Sequence, residues 1–244
     1  MELRSLIRES YQEIKEGSHL EKTLWFLAKL REFSVANTLL LIKQTRGRVR
    51  YAKGAADWNK QFGTSITKMA KPLYIYAPVE KGKDFSVISV FDVSDTEMGG
   101  QGPIFRPRYK TTILVNAFAK KAGISLVVNK TQKEPMKFSA QENKISLNCS
   151  SNEVTFHALK GIALINLERK KRSGQFSCDL PTATAIACAY AFEIRCFLQE
   201  TEGTLIPDAA RRIIFKDVKK CLSESHRMAQ KTMDMIEKIQ MEHT

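Results

Sequence analysis

The densest chemistry in the sequence is cationic. Residues 43–71 hold Lys43, Arg46, Arg48, Arg50, Lys53, Lys60, Lys68 and Lys71 against one acid, Asp57, a local net charge of +7. Such a run can track a phosphate backbone and gains affinity from the counterions it releases. Flat rings complete a single-strand site, because every base has a π-face on which to stack. Tyr51, Trp58, Tyr74 and Tyr76 lie within or just beyond the run. Asn37 and Gln44 add two amides seven residues apart, near one face of a helix. These amides suit bases or phosphates, and equally the backbone of a neighbouring segment. Arg46, Arg48 and Arg50 alternate, so an extended backbone places them on one side, as phosphate ligands or as a solvated edge. Trp58 has two readings as well, a core anchor or a stacking platform. The candidate nucleic-acid contacts are therefore Asn37, Gln44, Arg46, Arg48, Arg50, Lys53, Trp58, Lys68 and Lys71.

Other chemistries are poorly supplied. The five cysteines, at 149, 178, 188, 196 and 221, form no CxxC pair. That argues against a structural zinc site or a disulfide framework and for reduced, buried thiols. The histidines at 19, 157, 226 and 243 are scattered, and Cys188 and Cys196 have none nearby in sequence. Gly99-Gly100-Gln101-Gly102 lacks the lysine and following helix of a phosphate-binding loop.

Composition sets the frame. The chain has 244 residues, 43% of them apolar, enough to bury a core as one large domain or two small ones. A net charge of +13 favours an acidic partner, nucleic acid first and an anionic membrane surface second. No apolar run approaches the ~20 residues that span a bilayer. Met1-Glu2-Leu3-Arg4-Ser5 lacks the apolar core of a signal peptide, so a cytoplasmic protein is expected.

The elements that must position these residues follow from periodicity. Leu3, Leu6, Ile7, Tyr11 and Ile14 form a helical stripe over 2–16. A second helix is predicted over 20–31 and a third over 35–44, capped by Ser34. Strands are predicted at 73–77 and 87–91, and an irregular loop over 97–110. Beyond it come a helix near 116–122, strands at 124–128 and 145–147, and a helix from 151 to about 172. Ser150 and Glu153 have the spacing of a capping box, in which each side chain bonds the other's free backbone N–H. Further helices are predicted over 181–198, 208–221 and 223–241. The last carries Met228, Met233, Met235, Ile236 and Ile239, a core stripe or a partner-binding face. The fold class is α+β: N-terminal helices with a small β-sheet over 1–110, then a mostly helical domain over 111–244.

Several ordered motifs carry a resemblance. Phe33-Ser34-Val35-Ala36-Asn37-Thr38-Leu39-Leu40-Leu41-Ile42-Lys43-Gln44 resembles the N-terminal pattern of ArdC and LtrC antirestriction proteins: an aromatic-Ser pair, Asn, an aliphatic cluster and Gln. Trp58 falls where that family places a tryptophan on a small helix. Lys68 and Lys71 fall at its lysine-glycine-glutamate turn, although Met69-Ala70-Lys71 lacks the glycine and glutamate. Ala77-Pro78 and Val90-Phe91-Asp92-Val93-Ser94-Asp95-Thr96-Glu97 match two further stretches. The resemblance covers about residues 1–97. It implies single-stranded-DNA binding in plasmid transfer or phage infection, with a host protein as a second candidate partner and no membrane role.

In that family a zincin-like peptidase domain follows, with HExxH and a later acidic ligand. The matching stretch here is His157-Ala158-Leu159-Lys160-Gly161. Ala158 stands in place of the general base and Gly161 in place of the second histidine, and Thr182 to Tyr190 contains no acid. A catalytic zinc needs three protein ligands and a base for its water. The resemblance therefore implies a degenerate zincin-like domain without a metal site, catalytic residue or cofactor. Two alternatives stand beside it: a module that binds a host defence factor, and a peptidase with a rearranged metal site.

Overall fold

The computed structural model describes residues 2–17, 19–79, 84–100, 110–198 and 206–242. The chain begins with three helices, α1 (Leu3–Lys15), α2 (Leu20–Lys29) and α3 (Val35–Thr45). Ser34 caps α3 as predicted, its Oγ accepting from the Asn37 N–H at 3.3 Å. Arg46 ends α3 in the left-handed region, at φ 54°. A short strand β1 (Ala52–Lys53) and a two-turn helix α4 (Ala55–Phe62) lead to the hairpin strands β2 (Leu73–Pro78) and β3 (Phe85–Asp92). All pairs are antiparallel and the sheet order is β1-β3-β2, which leaves one edge of β2 to be covered by something other than a strand.

The second half opens with α5 (Thr111–Lys121), which starts five residues before the predicted helix. A small sheet follows: β4 (Ser125–Val128), β5 (Met136–Ser139) and β6 (Lys144–Leu147), in the order β4-β6-β5. The long helices α6 (Ser151–Arg172) and α7 (Leu180–Phe197) come next, then α8 (Asp208–Lys216) and α9 (Val218–Glu242). The capping box at α6 differs from expectation. Ser150 Oγ donates to Glu153 Oε2 at 2.8 Å, so the two side chains bond each other rather than the backbone. The break between the last two helices falls at Asp217, not near 222.

Two cores hold the molecule together. α7 is the axis of the larger one. Its alanine-rich stretch from Ala185 to Ala191 is buried on every side, which lets α6 and α9 approach closely. The smaller core joins Phe26, Leu30 and Leu41 of the helices to Val49, Ala52, Leu73, Ile75 and Val90 beneath the first sheet. Helix α2 serves both, because Leu20, Leu24 and Leu27 belong to the larger core. The expected division at 110/111 adjoins residues 101–109, outside the described residues, and the larger core runs across it. The methionine stripe of α9 is core, with Met228 and Met233 buried. The five cysteines are free, and burial raises each thiol above its ordinary value. Among the described residues no helix is long and apolar enough to cross a membrane.

Candidate nucleic-acid interface

The open edge of β2 is covered by two side chains of α3. Asn37 Nδ2 donates to the Tyr76 carbonyl at 2.8 Å, and its Oδ1 accepts from the Tyr76 N–H at 3.0 Å. Gln44 repeats the pattern one step along: Nε2 donates to the Tyr74 carbonyl at 2.8 Å, and Oε1 accepts from the Tyr74 N–H at 2.9 Å. Each amide thus replaces a neighbouring strand residue, because a carboxamide presents the same donor and acceptor as a peptide group. Both amides are committed to the backbone, so the structure places neither against a ligand.

What those bonds hold is a sheet face. Antiparallel register puts Tyr74, Tyr76 and Pro78 opposite Ser89, Val87 and Phe85, all on one side. The other side carries Leu73, Ile75 and Val90 into the smaller core. The outer face is apolar although open: Tyr74 is 45% exposed, Val87 53% and Phe85 67%. A solvated sheet face ordinarily alternates to polar residues. Tyr74 and Tyr76 were candidate rings on sequence grounds; Phe85 and Val87 were not. Their signal was the strand itself, which carries Phe85 and Val87 on one face and Ile88 and Val90 on the other.

Five cations gather at the end of the sheet where β2 enters and β3 leaves. Arg46 lies two residues beyond Gln44, and Lys71 two residues before β2. Asp92, the last residue of β3, accepts the backbone N–H of Arg50 at 2.7 Å and of Tyr51 at 3.0 Å. Lys68 follows Thr67, whose N–H bonds the Asp95 carbonyl. Arg46, Arg48, Arg50, Lys68 and Lys71 are all exposed. Among the described residues none of the five side chains forms an ion pair within 4.0 Å, although the Asp92 carboxylate takes the Arg50 backbone N–H and Lys71 acts on the Asp95 carboxyl. The predicted alternation of the arginines holds, with Val49 buried between Arg48 and Arg50, but residues 48–50 belong to no strand. Arg48 Nε donates to the Thr45 carbonyl and Arg50 Nη1 to the Gly100 carbonyl, both at 3.3 Å.

The other candidates are internal fastenings. Trp58 is fully buried, its Nε1 donates to the Phe91 carbonyl at 3.0 Å, and its ring sits 5.6 Å from Tyr51 and 5.3 Å from Phe62. It is a core anchor and offers no face to a base. Lys53 is buried and pairs with Glu32 at 2.7 Å. Burial works against its charge, but Glu32 and the Tyr51 hydroxyl hold the ammonium above its ordinary value. Lys43 likewise pairs with Glu13 at 2.5 Å.

Among its described residues the second half has no comparable ligand set. His157 is partly buried in α6, and its Nδ1 finds no hydrogen-bond partner among the described residues. Burial first, then Lys160, lower its pKa, so the ring is neutral near pH 7. Ala158 is fully buried. A Cβ at Gly161 would lie 2.9 Å from Ile145 Cδ1 and 3.0 Å from its Cγ2, so β6 fills the space a second histidine needs. Among the described residues no three His, Cys, Asp or Glu side chains are placed to hold a metal ion. One imidazole beside a methyl and a packed glycine does not fit a metal.

One buried polar cluster had no sequence signal. Glu193 of α7 is fully buried, and its Oε1 lies 2.6 Å from Nδ1 of His226 in α9. Nε2 of His226 lies 2.8 Å from the Phe33 carbonyl, which only accepts, so Nε2 carries a proton. Burial raises the Glu193 carboxyl. Burial also opposes the His226 charge, yet Glu193 and the Phe33 carbonyl raise its pKa overall. The pair therefore holds its proton and stays neutral as a whole. It ties α9 to the α2–α3 turn beside Ser34, across 193 residues of sequence.

No protein-family model matches the chain, and no curated protein matches it by sequence. Solved structures do share its fold. The Mn(II)-bound crystal structure of the antirestriction protein ArdC from plasmid R388 superposes with a TM-score of 0.61 at 14% identity, covering 97% of each chain. The metal-free structure of that protein gives 0.58 at 14% identity, covering 96% of each. The chain therefore has an ArdC-type α+β fold over nearly its whole length, including the half beyond residue 97 where the sequence motifs fade.

Proposed function

We propose that this chain, folded like an antirestriction protein, binds single-stranded DNA on the outer face of its first sheet. The observation that carries the reading is an open face of Tyr74, Tyr76, Val87 and Phe85 beginning beside five exposed cations that form no side-chain ion pair among the described residues. Rings supply stacking that tolerates any base, and the cations supply phosphate contacts. Arg46, Arg48, Arg50, Lys68 and Lys71 are the proposed phosphate ligands. Asn37 and Gln44 act as positioning residues, because they hold the backbone of the two tyrosines. Duplex DNA fits the face poorly, since its bases are already stacked and their rings hidden.

The reading extends to biology by analogy of fold. The protein would act in the cytoplasm against restriction of a mobile element's DNA. The half from 111 to 244 would be a degenerate, non-catalytic zincin-like domain that supports the first. His157, Ala158 and Gly161 support this, because donor number and packing both oppose a metal site.

Anisotropy of a labelled oligothymidylate tests the central claim. Tyr74→Ala and Phe85→Ala should each weaken binding by about 1–3 kcal/mol per lost stacked base. Equal affinity for duplex and single strand, or no effect of either variant, would refute it. A partner from host lysate that survives nuclease treatment and is lost with Phe85→Ala would favour the protein-binding alternative. Metal analysis of the purified protein should find less than stoichiometric zinc and manganese, and no dependence on His157.

A further inference from the structure

The cations beside the first sheet have neighbours on α2, outside the basic run of the sequence. Lys22, Trp25 and Lys29, spaced three and four apart, share one stripe of that helix. The stripe runs beside the turn that joins α3 to β1. At one end the Lys22 ammonium lies 3.1 Å from where Gly47 would carry a Cβ. Two helical turns on, the Lys29 ammonium lies 3.8 Å from the centroid of the Trp25 ring, a cation–π contact that fixes its position. Arg50 is near enough to act on the same ammonium: burial first, and then the Arg50 charge, lower the Lys29 pKa. Lys22 and Lys29 are exposed, and among the described residues neither forms an ion pair within 4.0 Å.

The nearby acids are committed elsewhere. Glu21 pairs with Arg211, Glu32 with Lys53 and Glu13 with Lys43, while Asp92 accepts the backbone N–H groups of Arg50, Tyr51 and Ser94. Two rows of cations therefore lie side by side, Lys22 and Lys29 on the helix and Arg46, Arg48 and Arg50 on the turn. Like charges held together cost energy, and an anion among them removes that cost. Lys22 and Lys29 stand about 10 Å apart along the helix axis, too far for one phosphate to serve both. The rows thus suit a polyanion rather than a single small anion. A membrane surface fits less well, because α2 exposes no large apolar side chain that could enter it. We propose that a single strand leaving the sheet face continues along this double row, with phosphates on Lys22 and Lys29 as well as on the three arginines. Trp25 is a positioning residue that holds the Lys29 ammonium. The path rests on the single-strand reading of the sheet.

Trp25 also supplies the probe. It is one of two tryptophans, and the other, Trp58, is fully buried, so iodide reaches Trp25 alone. A long oligothymidylate should abolish iodide quenching in the intact protein. Lys22→Ala with Lys29→Ala should leave the thermal melt unchanged and lower the salt slope of oligothymidylate affinity by about 1.4, the value of two phosphates on a single strand. Lys22→Arg with Lys29→Arg should keep the slope of the intact protein, which a merely structural role for the lysines would not require. Binding that Tyr74→Ala weakens, with Trp25 still open to iodide and the slope of the alanine pair unchanged, overturns the path and leaves the sheet face standing. Protection of Trp25 and a lowered slope, with no effect of Tyr74→Ala or Phe85→Ala, overturns the sheet face and leaves the double row as the site. Protection by phosphatidylserine vesicles but not by oligothymidylate assigns the rows to a membrane surface and overturns the path.

Discussion

At the residue scale, the same region contains side chains that hold the site and side chains that would meet the ligand, and different measurements separate them. Asn37 bonds both polar groups of Tyr76, so Asn37→Ala leaves a strand edge unpaired. That should lower stability by about 1–3 kcal/mol in urea unfolding and weaken DNA binding without changing its salt dependence. Arg48 is exposed and makes one bond to its own loop. Arg48→Ala should leave the melt unchanged and lower the salt slope by about 0.7, the value of one phosphate on a single strand. The buried Glu193–His226 pair makes a pH prediction. Both groups have folded pKa values above their ordinary ones, so the folded state keeps a proton that the unfolded chain releases. The carboxyl's contribution is full below its ordinary value of 4.5 and the histidine's below 6.5, and each is lost as pH rises through the folded value. The unfolding free energy from urea titrations should therefore fall from about pH 4.5 upward, by at most about 1.4 kcal/mol per pH unit for each group. The slope should vanish in the Glu193→Gln, His226→Gln double variant.

At the scale of elements, the helices were legible and their couplings were not. The stripe of α1, the Ser34 cap and the existence of α7 follow from spacing and composition, because local signals decide them. The Asn37 and Gln44 spacing was visible, but its target, β2, lies 30 to 39 residues on, and no local rule points there. Trp58 illustrates the same limit, since only packing against Tyr51 and Phe62 separates anchor from platform. Strand β5 was missed because Met136–Ser139 is four residues with weak alternation. Gly161 makes the contact between α6 and β6 testable. Gly161→Ala should destabilise the protein by about 1–3 kcal/mol through overpacking on Ile145. For the same reason, Ala158→Glu with Gly161→His should yield an unstable protein rather than a metal site.

At the scale of the whole molecule, α2 is the shared member. It places Phe26 and Leu30 under the sheet and Leu24 and Leu27 against the larger core. Leu27→Ala should therefore cost about 2–5 kcal/mol, and because one helix serves both cores, sheet and bundle should melt together by any probe. The charge of +13 indicated a polyanionic partner from the outset, but charge alone placed the site anywhere on the molecule. Folding reduces the choice. Pairing with Glu13 and Glu32 removes Lys43 and Lys53 from the run; of the six cations left, Lys60 lies on α4 and the other five, all exposed, flank one end of one sheet. The most direct test is the salt dependence of oligothymidylate affinity in the intact protein and in Arg46→Ala, Arg48→Ala, Arg50→Ala combined. A linear fall of log affinity with log salt is predicted, shallower by about 2 in the triple variant. An affinity independent of salt, or an identical slope in the two proteins, would contradict the assignment.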